Sequence, residues 1–241
     1  MSNSPGNNYF LNNPAPGMNP FIACNRDDSR LYDLNMENEI VGIHASKDLL
    51  AYNYEDRSLN DIFSPEYNSG IDTWTGKSKG EFNVPVLRDP FNNLASKYKW
   101  ALSGLKWAPA MEAVKQLPAL WKSYAKEFIG ITSVIPAKNK VVINYNRWFA
   151  DAAYRAELAG KLLLMSTDKG LEEVAKWGPN TWGDSFDNLK YEGKAHEMDV
   201  LNRWKNYADD EVFRSFFKDK ELIELSEKIF GHIAGTEVLF S

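Results

Sequence analysis

The chain has 241 residues, 44% of them hydrophobic and 25% charged, with a net charge of −5. These values exclude a wholly disordered chain and leave room for a sizeable buried core. The single cysteine, Cys24, excludes an internal disulfide, and it reads as a small packing residue because the sequence places no base beside it.

Residues 1–20 are rich in Asn, Pro and Gly and hold no apolar run, so no secretory leader is expected. No stretch approaches the roughly 18 consecutive apolar residues of a spanning helix. The protein is therefore expected to be intracellular, soluble or peripheral, and compatible with an organelle interior such as the mitochondrion.

Charge falls into three zones. Residues 1–90 carry 7 basic and 13 acidic side chains, residues 91–150 carry 9 and 2, and residues 151–241 carry 12 and 18. The acidic–basic–acidic layout divides the chain into an irregular acidic arm with one or two short helices (1–90) and a helical domain (91–241). The domain splits into basic aromatic helices at 91–146 and an acidic helical bundle at 147–241.

Eight of the eleven prolines lie at or before position 109, which makes the arm turn-rich. A helix is expected from Asp28 to about Ile43, on the loose spacing of Leu31, Leu34 and Ile40, with a turn at 46–52. The next helix is expected from Asn92 to Trp107, with Leu94, Tyr98, Ala101, Leu102 and Leu105 on its core side. Trp100 and Trp107, seven apart, would then stack on the opposite side, a face suited to a partner. A second basic helix starts near Pro109 and carries Met111, Val114, Leu117, Trp121, Ala125 and Phe128. Pro118 inside it should kink or split it. Val141 to Ile143 read as a short strand or an extended link.

The strongest helical pattern runs from Arg147 to Met165. Further helices are expected at 171–177, 192–207, 211–217 and 220–233, with Asp209, Asp210 and Glu211 supplying acid at the start of the 211–217 segment. The expected core is Trp148, Ala156, Leu163, Met198, Trp204, Phe213 and Ile229. The fold class is mainly α: a C-terminal helical bundle, kinked basic helices in the middle and a long irregular N-terminal arm.

Catalytic motifs are sparse. Gly76-Lys77-Ser78 resembles the end of a phosphate loop, but Ile71 stands where that loop needs glycine, so a solvated turn is expected. Glu192, His196 and Asp199 would share a helix face, yet no Glu-x-x-His pair exists, so no metal or other cofactor is expected. The basic zone interleaves Lys97, Tyr98, Lys99, Trp100, Lys106 and Trp107 with Trp121, Lys122, Tyr124 and Lys126. The lysines either pair with the protein's own acidic zones or meet an acidic protein surface. An anionic lipid surface is the next choice, and nucleic acid the least favoured.

The function expected from this pattern is a structural or accessory subunit of a larger assembly. It would dock on other protein subunits through Tyr9, Phe10 and Phe21 of the arm and through Trp100, Trp107, Lys99, Lys106, Lys122 and Lys126. The alternatives are a small helical enzyme or effector with a site between arm and bundle, and a peripheral protein on anionic membranes.

Overall fold

The structure, a computed structural model, describes residues 22–25, 28–33, 49–51, 57–65, 80–103, 107–168, 171–172, 186–187 and 189–240. Among these, seven α-helices dominate, and no helix is long and apolar enough to cross a membrane. The mainly α class expected from the sequence holds.

The arm departs from its pattern. β1 (Ile22–Asn25) pairs antiparallel with β2 (Asp28–Asp33) and with β3 (Leu49–Ala51), giving the order β2–β1–β3. The helix expected from Asp28 thus begins as a strand, and the turn at 46–52 contains one. Three loosely spaced apolar residues gave the helix no continuous stripe, whereas pairing with β1 gives backbone groups along one side of β2 their partners, with a register shift between Ala23 and Asn25. The rest of that expected helix, from position 34 onward, lies outside the described residues. α1 (Leu59–Ile62) is capped by Ser58, whose hydroxyl accepts from Asp61 N at 3.1 Å.

α2 (Pro90–Ser103) starts with proline at its first position, where no helical N–H is needed. Phe91, Leu94, Ala95, Tyr98 and Ala101 are buried at helical spacing. α2 is described as far as Ser103, and Trp107 is the first residue of α3 (Trp107–Phe128); the expected continuation of α2 over 104–106 lies outside the described residues, as does the side chain of Trp107 that was expected beside Trp100. Leu102, expected in the core, is 45% exposed near the end of α2.

α3 runs through Pro118 without splitting and buries Met111, Val114, Trp121 and Ala125. β4 (Val86–Leu87) pairs in parallel with β5 (Ile143–Asn144), so the extended segment near Val141 is partly strand. Asn144 then caps α4 (Tyr145–Ala150), and Asp151 caps α5 (Ala152–Lys161) through Tyr154 N at 3.0 Å. The single helix expected over 147–165 is two, because Asp151 is extended and its carboxylate competes for a backbone N–H. Ala156 and Leu163 are exposed instead of core, Leu163 at 69% and with a left-handed φ of 58°. α5 buries Tyr154 and Leu158 against Val141 in a small second core, with Trp148 at its margin.

The helix expected at 192–207 is replaced by 3-10 turns at Ala195–Glu197 and Arg203–Tyr207. Gly193 has a φ of 78°, and Val200 O, Leu201 O and Arg203 N bond to the side chains of Arg88 and Asn92 rather than to helical partners in their own segment. Of the helix expected at 171–177, only the turn at 171–172 is described. α6 (Glu211–Ser215) is capped by Asp210, which also accepts from Tyr98 Oη at 3.0 Å; burial and this bond push the Tyr98 phenol up to about 12. α7 (Lys220–Phe230) is capped by Asp219.

One main core joins α2, α3, α6, α7 and the 203–207 turn. Trp204 and Phe213 are buried in it as expected, and Ile229 packs at its edge; Met198 is half-buried. The basic middle and the acidic tail thus share a single interior.

The C-terminal end of α3 carries a buried clasp. Glu127 is fully buried and accepts from Thr132 Oγ1 (2.8 Å), Val134 N (2.9 Å), Ile135 N (3.2 Å) and Lys140 Nζ. Burial pushes its carboxyl up, but Lys140 and these donors outweigh that and hold it below the ordinary 4.5. Changing Glu127 to Gln should cost about 3–5 kcal/mol, because it leaves Lys140 without its charge partner. The folded pKa lies below the unfolded one, so the carboxylate's stabilisation is full above about pH 4.5 and is lost as pH falls through the folded value. Urea melts of the wild type and Glu127→Gln at pH 7 and pH 3 check this: the gap between them should shrink in acid.

Candidate functional site

The residues expected to dock on partners scatter. Tyr9, Phe10, Phe21 and Lys106 lie outside the described residues, as does the side chain of Trp107. The 76–78 turn lies outside them too. Trp100 sits on α2 with 54% of its surface exposed. Lys99 Nζ lies 4.9 Å from the ring centre of Phe186.

Lys122 and Lys126 face the protein's own acidic tail. Lys122 Nζ is 2.6 Å from Asp219 and 2.8 Å from Glu221, and Lys126 Nζ is 2.6 Å from Glu221. Asp219 and Glu221 raise the Lys122 ammonium above its ordinary pKa, and the two lysines pull Glu221 down to about 2. The Glu192–His196–Asp199 face has no helix to form on. His196 Nδ1 instead meets Glu172 Oε2 at 2.7 Å, which raises the imidazole pKa.

A constellation that the sequence reading did not single out sits at the start of α2. Arg88 leaves β4 just before the helix, and its carbonyl accepts from Trp121 Nε1 at 2.8 Å. Its guanidinium donates to Ser96 Oγ at 3.2 Å and to Val200 O, and lies 5.2 Å from the Tyr145 ring centre. Arg203, 6% exposed, donates to the same Ser96 Oγ at 3.1 Å and stacks 5.0 Å from the Phe186 ring centre. The Ser96 hydroxyl in turn donates to Asn92 O at 3.1 Å. That hydroxyl has one proton and two lone pairs, and all three are used.

Beneath the arginines lies a buried polar tie. Asp89 accepts from Asn92 N (2.8 Å), from Asn92 Nδ2 (3.0 Å to each oxygen) and from Asn146 Nδ2 (2.9 Å). Asn92 also donates to Leu201 O at 2.9 Å and accepts from Arg203 N at 2.8 Å. Chemically, the site offers two planar cations converging on one hydroxyl, flanked by Lys99 and two aromatic rings. Its sequence signals were Arg88-Asp89-Pro90 at a strand-to-helix junction and the polar pair Asn92 and Ser96, four apart beside an apolar stripe. Arg203 carried no local signal, because it comes from over a hundred positions downstream.

The ion pairs between α3 and α7 are open to titration. Glu221 should titrate near 2 by carboxyl-carbon NMR, and its midpoint should move up toward the ordinary 4.5 in Lys122→Met/Lys126→Met. An unchanged midpoint in that variant would show that the lysines do not hold the carboxylate.

Comparisons of the chain with protein-family models, with curated proteins and with solved structures found no match.

Proposed function

We propose that the protein is a structural or accessory subunit of a larger multiprotein assembly, on one observation: Trp100 presents a large aromatic surface on α2, and Trp is a frequent interface anchor. An accessory role in an intracellular assembly, soluble or peripheral, follows from it. Trp100→Ser should then lower the particle mass of the natively extracted protein by light scattering and leave its melting temperature within about 2 °C, as surface changes do. An unchanged mass removes Trp100 from any interface.

A further inference from the structure

We infer that the outer edge of β4 is a pairing surface for a second copy of this chain, the two strands meeting antiparallel about Val84. Trp100 lies on another element, α2, and has no part in this pairing.

The bonds to β5 decide which side of β4 is left over. Asn83 N donates to Asn139 O at 3.0 Å, Asn83 O accepts from Val141 N at 2.9 Å, and Pro85 O accepts from Ile143 N at 2.9 Å. Successive residues of a strand turn their N–H and C=O groups to opposite edges, so Phe82, Val84 and Val86 turn theirs away from β5. Among the described residues no backbone group bonds to those six. The side chains of the same three residues alternate onto one face, the side of the small second core. Phe82 packs against that core, while Val84 is 37% and Val86 55% exposed. An apolar strip thus runs from the second core out to an open edge.

Natural edge strands are blunted by a charge, a bulge or a proline. From Phe82 to Leu87 there is no charged side chain. Pro85 could blunt the strand, but it faces inward. Its carbonyl bonds to β5, so its nitrogen, which carries no hydrogen, is turned to β5 as well. Proline there costs the inner ladder a bond and leaves the outer edge whole.

A second copy fits this edge by closed symmetry. A twofold axis at Val84 sets that residue opposite its own equivalent, and Phe82 opposite Val86 of the other copy on both sides. All six outward groups of each strand then find partners. Aromatic against β-branched is a favourable cross-strand pair. Charge agrees with the antiparallel sense: Glu81 at the head of one strand comes beside Arg88 at the foot of the other, whereas parallel strands would bring acid to acid and base to base. Arg88 keeps its bonds to Ser96 and Val200, since only its charge near the rim is used. Three residues a side bury much less than the roughly 800 Å² per partner of a stable interface, so the dimer is weak and forms as concentration rises.

The test is sedimentation velocity of the purified full-length chain from micromolar to submillimolar concentration. The wild type should pass from monomer to dimer. Val84→Lys sets like charges face to face on the axis and should weaken dimerisation at least about tenfold, as should Val84→Glu. An equimolar mixture of the two variants should restore the dimer. Both should melt within about 2 °C of the wild-type monomer, as surface changes do. In a Cys24→Ser background, Val84→Cys should form an interchain disulfide under mild oxidation and Val86→Cys should not, because Val84 faces itself across the axis. Should a charged residue at 84 prevent folding, Val86→Pro takes its place: it removes an outward N–H and leaves the bonds to β5. A wild type that stays monomeric throughout, or a dimer that none of these variants weakens, overturns the inference. If Val84→Lys lowers the mass of the natively extracted particle while the purified chain never dimerises, the edge takes a strand of another protein and the second copy is ruled out. If Trp100→Ser lowers that mass and the purified chain stays monomeric, the subunit reading stands and the β4 pairing alone falls.

Discussion

The buried hydrogen bonds of Asp89 and Asn92 are the constraint on which the rest of the fold depends. A carboxylate and an amide enclosed without water cost several kcal/mol unless every polar atom finds a partner. Here the partners come from three distant parts of the chain: the first turn of α2, Asn146 in α4, and the backbone at 201–203. The cost of leaving any of them unmade fixes the position of all three. The 3-10 turn at 203–207 then delivers Trp204 into the apolar core, where α2, α3, α6 and α7 close around it.

Opposite charges follow the same logic at the other side of the core. The basic middle of the chain looked like a surface for something else. Much of its charge is answered internally: Lys122 and Lys126 by α7, and Lys140 by Glu127. The exposed pairs stabilise little individually, because water and salt screen them. Glu127 differs in kind, since its carboxylate is enclosed and organises the turn after α3 through four separate donors.

Helices with a continuous apolar stripe were legible in the sequence: α2, α3, α6 and α7 all lie within a few residues of their expected spans. Legibility failed where side chains competed with the helical ladder. Asp151 breaks the 147–165 pattern by capping a new helix. The 192–207 segment has helical spacing, but Gly193 and the claims of Asn92 and Arg88 on its carbonyls win. The candidate site was illegible for a related reason. Its members are scattered between positions 88 and 203, and their meaning lies in mutual distance, which no local period encodes.

The Arg88–Ser96–Arg203 cluster serves the same constraint. Arg88 fastens the 200–203 loop to α2 through Val200 O and Ser96 Oγ. Arg203 closes on the same hydroxyl, while Asn92 holds Arg203 N and Leu201 O. Ser96 uses its one proton on Asn92 O and both lone pairs on the two guanidinium groups, so loop and helix are tied at every polar valence of that hydroxyl.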